Sequence, residues 1–281
     1  MYFGYDKRET KFMTFEQGRM LLDYLVTLWH KYPTRSAVPR TYVSFYGGEP
    51  LMNMDFIMRM VDYIEKLDVR RNFIFSMTTN AMLINRYMDY LAEKRFRLLI
   101  SLDGDRQGQS YRITNNDENS FDRVFANVKS LQQAYPEYFA NYINFNSVLH
   151  NRNSVDRTLN FIMQEFGKKP TITELNNSGI KPEKVEEFNR TYRNITESLH
   201  ESENYEKLSE EMFMSEPNTH DLLLFLHQYS GNVYRDYNSL FLDESKLHYT
   251  PTGTCSPFSK KLFVTVNGKI LQCERIDHKY A

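Results

Sequence analysis

The chain has 281 residues with 35 lysines and arginines against 36 aspartates and glutamates, a formal net charge of −1, and this balance excludes a protein built around a basic nucleic-acid-binding surface. Gly and Pro together are scarce (11 and 9), aromatic residues make up 15%, and only two cysteines occur, so neither a disordered chain nor a disulfide framework fits. The longest apolar run, Leu222 to Leu226, is far shorter than the roughly 20 residues of a membrane span, and the start at Met1 shows no signal peptide, so the expected setting is cytoplasmic, with no membrane partner.

The first element is a helix from about Thr14 to Tyr32. Thr14 and Gln17 have capping-box spacing, Leu21, Leu22, Leu25, Leu28 and Trp29 recur at helical intervals, and Pro33 ends the run. The β-rich stretch Tyr42 to Tyr46 then runs into Gly47-Gly48, a strand followed by a turn. The alternation continues. A helix bearing Ile57, Met60, Val61, Ile64 and Leu67 precedes the strand Phe73 to Met77. A short helix, Ile84 to Glu93, precedes the strand Arg97 to Leu102. A helix capped by Ser120, with Phe121, Val124, Phe125, Val128 and Leu131, leads to the strand Tyr142 to Leu149. Ser154 opens a helix with Val155, Leu159, Ile162 and Phe166, and Thr171 to Leu175 is the last strand of the series.

Five strands alternating with helices indicate parallel βαβ units, compatible with a barrel or a doubly wound sheet. The polar residues decide between them. Glu49, Thr79-Asn80, Asp103 and Asn146 all fall at or near C-terminal strand ends, which converge on one mouth in a barrel. The expected class is α/β: an incomplete (β/α)6 TIM-like barrel missing its first strand, over residues 1–180. Residues 181–250 read as a helical connecting segment. Its first part, Lys181 to Glu216, carries ten glutamates against five lysines and arginines, and a further helix is expected from Asn218 to Tyr229. In residues 251–281, Asn267-Gly268 separates two β-rich runs, Leu262 to Val266 and Lys269 to Gln272. Such a dipeptide is the strongest short-range hairpin signal, because both residues tolerate positive φ.

Two features carry chemistry. Gly47-Gly48 lets backbone approach a ligand without interference from Cβ atoms, Glu49 adds an acceptor for an ammonium group, and Pro50 stiffens the exit. Cys255 and Cys273 leave three readings open: a hairpin disulfide, inert thiols, or two of four thiolate ligands to an iron–sulfur or zinc centre. The seven histidines show no paired i, i+4 spacing, and no Walker loop, nucleophile elbow or dinucleotide fingerprint is present.

Taken in order, Phe45-Tyr46-Gly47-Gly48-Glu49-Pro50-Leu51, Thr78-Thr79-Asn80-Ala81, Ser101-Leu102-Asp103-Gly104 with Arg112, and Asn119-Ser120-Phe121 resemble the successive motifs of radical S-adenosylmethionine enzymes. The pattern Cys255, Gly268, Cys273 resembles the opening of the SPASM extension. The nearest likeness is to peptide- and protein-modifying maturases, which include the anaerobic sulfatase-maturing enzymes.

The resemblance implies an oxidoreductase using S-adenosylmethionine and [4Fe–4S] clusters, with a peptide or protein substrate and an electron donor as partners. It places Gly47, Gly48, Glu49 and Pro50 at the methionine amino end and Thr79 and Asn80 on the same wall. Ser101 and Asp103 fall near the ribose or methionine portion, and Arg112 against the carboxylate. Cys255 and Cys273 become ligands of an auxiliary [4Fe–4S] cluster, and Glu274 the acid that accepts the substrate proton. In that family a reduced cluster cleaves the sulfonium to a 5′-deoxyadenosyl radical that abstracts a hydrogen atom, while the protein binds, orients and excludes water.

The family's three-cysteine motif, Cys-x₃-Cys-x₂-Cys, is absent, and the chain stops eight residues after Cys273. The expectation is therefore the central part of a longer maturase, inactive by itself. The alternatives are a degenerate, non-catalytic peptide-binding barrel, or a partial barrel using another ligand at the glycine loop.

Overall fold

Alternating β-branched and aromatic side chains cover both faces of five short strands, and the intervening helices each supply one apolar stripe to cover them. The computed structural model describes residues 11–32, 39–177, 180–211 and 261–271. The strands are β1 (Arg40–Phe45), β2 (Asn72–Thr79), β3 (Arg97–Ser101), β4 (Ile143–Leu149) and β5 (Thr171–Glu174). All neighbouring pairs are parallel, in the order β1-β2-β3-β4-β5. Sequential order without a reversal point is the barrel arrangement rather than the doubly wound one. The five strands curl as a half-barrel.

Helix α1 (Phe15–Lys31) starts at the expected capping box: Thr14 accepts from the Gln17 backbone, and the Gln17 side chain accepts from the Thr14 backbone. The main layer over the sheet is formed by α2 (Met54–Glu65), α3 (Met88–Glu93), α4 (Phe121–Ala134), α5 (Pro136–Tyr142) and α6 (Val155–Phe166). Its core joins Ile57, Val61 and Ile64 of α2 and Val124, Val128 and Leu131 of α4 to Met77, Leu98, Ile100, Ile143 and Phe145 of the strands. Phe145 stacks on Phe166 with centroids 4.9 Å apart. Each such fully buried side chain contributes about 1.5–3 kcal/mol of transfer free energy.

Three local expectations are corrected. The helix over Ile84 to Glu93 is two pieces, a 3-10 turn Ile84–Arg86 and α3, because Tyr87 between them has left helical geometry (φ −130°, ψ 7°). Tyr142 belongs to α5, a helix that periodicity missed; Pro136 at its first position needs no N–H donor there. Ser120 precedes α4 but makes no side-chain cap; the Asn119 side chain accepts from the Phe121 N–H instead, at 2.9 Å.

The chain divides into two units, 1–205 and 206–281. In the first, α7 (Val185–Thr191) and α8 (Ile195–His200) follow the sheet; α9 (Tyr205–Glu211) begins at its boundary. In the second, β6 (Phe263–Val264) and β7 (Ile270–Leu271) form the expected antiparallel hairpin, turning at Gly268 with φ +77°. The helix expected at Asn218 to Tyr229 lies outside the described residues, as do Cys255, Cys273 and Glu274. Among the described residues no helix is long and apolar enough to cross a membrane.

Candidate functional site

The loop after β1 is tied to the tip of β2 by one carboxylate. Glu49 Oε1 accepts from the Leu51 N–H at 3.1 Å and from the Thr79 hydroxyl at 2.7 Å, while Oε2 accepts from the Asn80 N–H at 2.7 Å. Thr79 is buried, and its hydroxyl oxygen accepts from the Ala81 N–H. The parallel register, with Phe45 opposite Met77, brings these groups together. A carboxylate offers about four acceptor positions, and the Leu51, Thr79 and Asn80 donors occupy three of them, so Oε2 retains room for a further donor. Pro50 is buried at the start of a 3-10 turn (Pro50–Asn53) and fixes the loop's exit.

Gly47 and Gly48 lie exposed before this carboxylate. A Cβ added to either would meet nothing within 4 Å, and neither has positive φ. The fold therefore places no demand for glycine at either position. Open space beside a carboxylate with spare acceptor capacity fits the amino end of an amino-acid ligand.

A second polar group is built on β3 and β4. The Asp103 carboxylate, whose side chain is 4% exposed, accepts from Arg112 Nε at 2.6 Å, from Arg112 Nη2 at 2.9 Å, and from the Val148 N–H at 2.8 Å. The Asp103 N–H donates to the Gln109 side-chain oxygen at 2.9 Å, and Gln109 Nε2 donates to the Ser120 hydroxyl at 3.2 Å. The Asp103 carbonyl accepts from Asn153 Nδ2 at 2.9 Å. Gly108 packs so closely that a Cβ there would stand 2.3 Å from the Asp103 carbonyl oxygen. Ser101 is buried at the end of β3, opposite Asn146 of β4.

Arg112 is thus not a free cation: one edge is committed to Asp103. The commitment is local in origin. The 3-10 turn Gly108–Tyr111 delivers Arg112, whose N–H donates to the Gln109 carbonyl at 2.8 Å, and the Ile113–Asn119 bridge holds the loop beyond it. With 30% of its side chain exposed and Nε and one Nη2 proton used, the guanidinium keeps its Nη1 edge for another acceptor.

His150, just past β4, is buried beneath the same turn. Its Nδ1 accepts from the Arg152 N–H at 3.1 Å, so the Nε2 that meets the Gly108 carbonyl at 3.0 Å carries the proton. Burial lowers its pKa below the ordinary histidine value, against the opposing pull of the Asp103 charge and the Gly108 carbonyl. The ring is a neutral brace.

The structure brings Glu49, Thr79 and Asn80 into one hydrogen-bonded group and Asp103 and Arg112 into another. The two sit on adjacent strand ends, Thr79 pairing with Ile100 one residue before Ser101. Gln109 and Asn153 escaped the sequence reading because their partners lie 6 to 50 residues away, and no spacing advertises such contacts. Among the described residues no group of three or more His, Cys, Asp or Glu could hold a metal ion.

This geometry has a family context. Residues 35–162 match the model of the radical SAM superfamily, and that segment, which holds all of β1 to β4, belongs to it. It is distantly homologous to anaerobic sulfatase-maturating and peptide-modifying radical SAM enzymes. The chain is 29% identical over 153 residues to a cysteine-type anaerobic sulfatase-maturating enzyme of Clostridium novyi, covering 53% of this chain and 40% of that one. It is 31% identical over 133 residues to the radical SAM cyclopropyl synthase TigE of Paramaledivibacter caminithermalis, covering 44% and 26%. The chain therefore spans less than half the length of these curated relatives. Native anSMEcpe with bound AdoMet and Kp18Cys peptide superposes with a TM-score of 0.52 at 18% identity, over 65% of this chain and 52% of that one, a likeness of fold.

Proposed function

We propose that this chain supplies the S-adenosylmethionine-binding part of a radical enzyme that modifies a peptide or protein side chain. The observation that carries the reading is the Gly47-Gly48 loop, open where Cβ atoms would sit and adjoining a carboxylate with acceptor capacity left. Relatives named for sulfatase maturation and cyclopropyl synthesis, and a fold neighbour with bound AdoMet and a peptide, support the substrate class.

Gly47, Gly48 and Glu49 would receive the ammonium end of the cofactor, and the free edge of Arg112 its carboxylate. Thr79 and Asn80 hold Glu49 in place for that contact. Asp103 orients Arg112. When bound, the cofactor supplies one-electron cleavage of a sulfonium and hydrogen-atom abstraction. The chain's own residues bind, orient and keep water out. The sequence holds only two cysteines, Cys255 and Cys273, which do not make a four-thiolate site, so no step is assigned to a cluster held by this chain alone. Their role as auxiliary-cluster ligands, the role of Glu274 as proton acceptor, and an external electron donor remain parts of the proposal.

Titration calorimetry with S-adenosylmethionine tests the reading. Wild type is expected to bind, and Gly47→Ala with Gly48→Ala to weaken binding at least about tenfold while stability moves by no more than about 0.5 kcal/mol. Equal binding by the variant overturns the assignment. Absence of binding by wild type favours the peptide-binding scaffold, which Arg112's commitment to Asp103 would also suit.

A further inference from the structure

The turn that delivers Arg112 also builds a surface feature which the cofactor reading leaves unused. Arg152, in the loop after β4, lies with its guanidinium carbon 3.9 Å from the centroid of the Tyr111 ring. Its Nη1 donates to the Ser110 hydroxyl at 3.1 Å, and its backbone N–H is held by His150. Tyr111 is itself fixed: its hydroxyl donates to Asn151 Oδ1 at 3.0 Å, and its ring meets the His150 ring edge-on at 4.9 Å. The platform remains 40% exposed at Tyr111, and Arg152 is exposed above it.

This pinning has a thermodynamic consequence. An arginine carries rotamer entropy that a ligand must ordinarily quench. Stacking and the Ser110 bond have already restricted Arg152, and they use its face and one donor, so this exposed side chain keeps its other N–H groups for a ligand. Nor do the described residues supply a local acid to receive them. In the surrounding loops Asp103 is taken by Arg112, Asp105 by Arg157 and Asp122 by Arg106. Asp117 and Glu118 sit on the loop closed by the Ile113–Asn119 bridge. Among the described residues no carboxylate lies within ion-pair distance of Arg152. One uncompensated, planar cation suits a monoanion of carboxylate geometry better than a dianion, which would call for additional charge.

We propose that Arg152, stacked on Tyr111, is a carboxylate-recognition subsite at the C-terminal end of the sheet, engaging an acidic residue or the chain terminus of the peptide or protein substrate. The inference rests on the peptide-modifying reading for its partner class, but not on cofactor binding.

The test is made on the full chain without S-adenosylmethionine. The probes are N-acetylglutamate methylamide (a side-chain carboxylate), its glutamine counterpart, N-acetylglycine (a terminal carboxylate) and inorganic phosphate. The Arg152 Nε–H signal is assigned by its loss in Arg152→Gln, whose unchanged melting temperature checks folding. Saturation-transfer signals of each probe are compared between wild type and variant. A saturable response to either carboxylate probe, absent with glutamine and lost in Arg152→Gln, supports the subsite, and the stronger carboxylate names the source. Equal responses to the glutamate and glutamine probes, no saturable response to either carboxylate, signals unaltered in Arg152→Gln, or a response to phosphate exceeding that to the carboxylates would each overturn it. A positive result beside failed S-adenosylmethionine binding leaves the subsite standing and removes only the cofactor reading.

Discussion

Arg112→Ala and Asp103→Ala break the same ion pair, yet they are expected to differ in cost. Losing Arg112 removes donors at 2.6 and 2.9 Å from a carboxylate that is 4% exposed, leaving it only the Val148 N–H at 2.8 Å. A charge stranded in this way costs about 3–5 kcal/mol. Losing Asp103 instead strands a guanidinium that is 30% exposed and can turn to water, plus one part-buried N–H, a cost of about 1–3 kcal/mol. Arg112→Ala should therefore be the worse variant by roughly 2 kcal/mol, with a melting temperature about 10 °C below wild type at ~2–4 °C per kcal/mol. Urea unfolding of both single variants and the double variant measures this, and the double should fall well short of the sum. Equal losses in the two single variants, or strict additivity, would refute the argument that a buried carboxylate sets the cost. A loss below about 0.5 kcal/mol for Arg112→Ala would mean that the arginine is free for ligand and has no structural partner.

Gly108→Ala is expected to destabilise by about 1–3 kcal/mol, because its Cβ would stand 2.3 Å from the Asp103 carbonyl oxygen; thermal melts that match wild type would contradict this. His150 gives a pH dependence. Its folded pKa lies below the ordinary value of 6.5, so the unfolded chain takes up the proton first, and stability present above that value is lost as pH falls from 6.5 toward the folded pKa. Denaturant titrations at about pH 7.5 and about pH 5.5 should show this loss in wild type and a smaller one in His150→Gln; an identical slope in the variant would locate the effect elsewhere.

Much of the half-barrel is legible in the sequence. Periodicity located the five strands of the sheet within a few residues, the Thr14–Gln17 spacing announced its capping box, and Asn267-Gly268 announced the hairpin, since each signal is written in consecutive residues. The glycine-glycine-glutamate-proline run was legible for the same reason. Where local preference was divided, as at Tyr87 and in Pro136–Tyr142, the reading erred: a residue leaving helical geometry, or a helix abutting a strand, barely alters an apolar pattern.

By itself, then, the sequence located the five strands and most of the helices between them, put polar residues at the tips of β1 to β3 though not of β4, where Asn146 lies mid-strand, and showed to which superfamily the central motifs are similar. Only tertiary structure decided how those polar residues spend their bonds. Glu49 finds Thr79 from 30 residues away, Asn153 finds Asp103 from 50, and Arg112 turns one edge to Asp103 while keeping the other open. The physical reason is that a hydrogen bond is satisfied within about 3 Å in space, and parallel register, not chain proximity, brings such partners together.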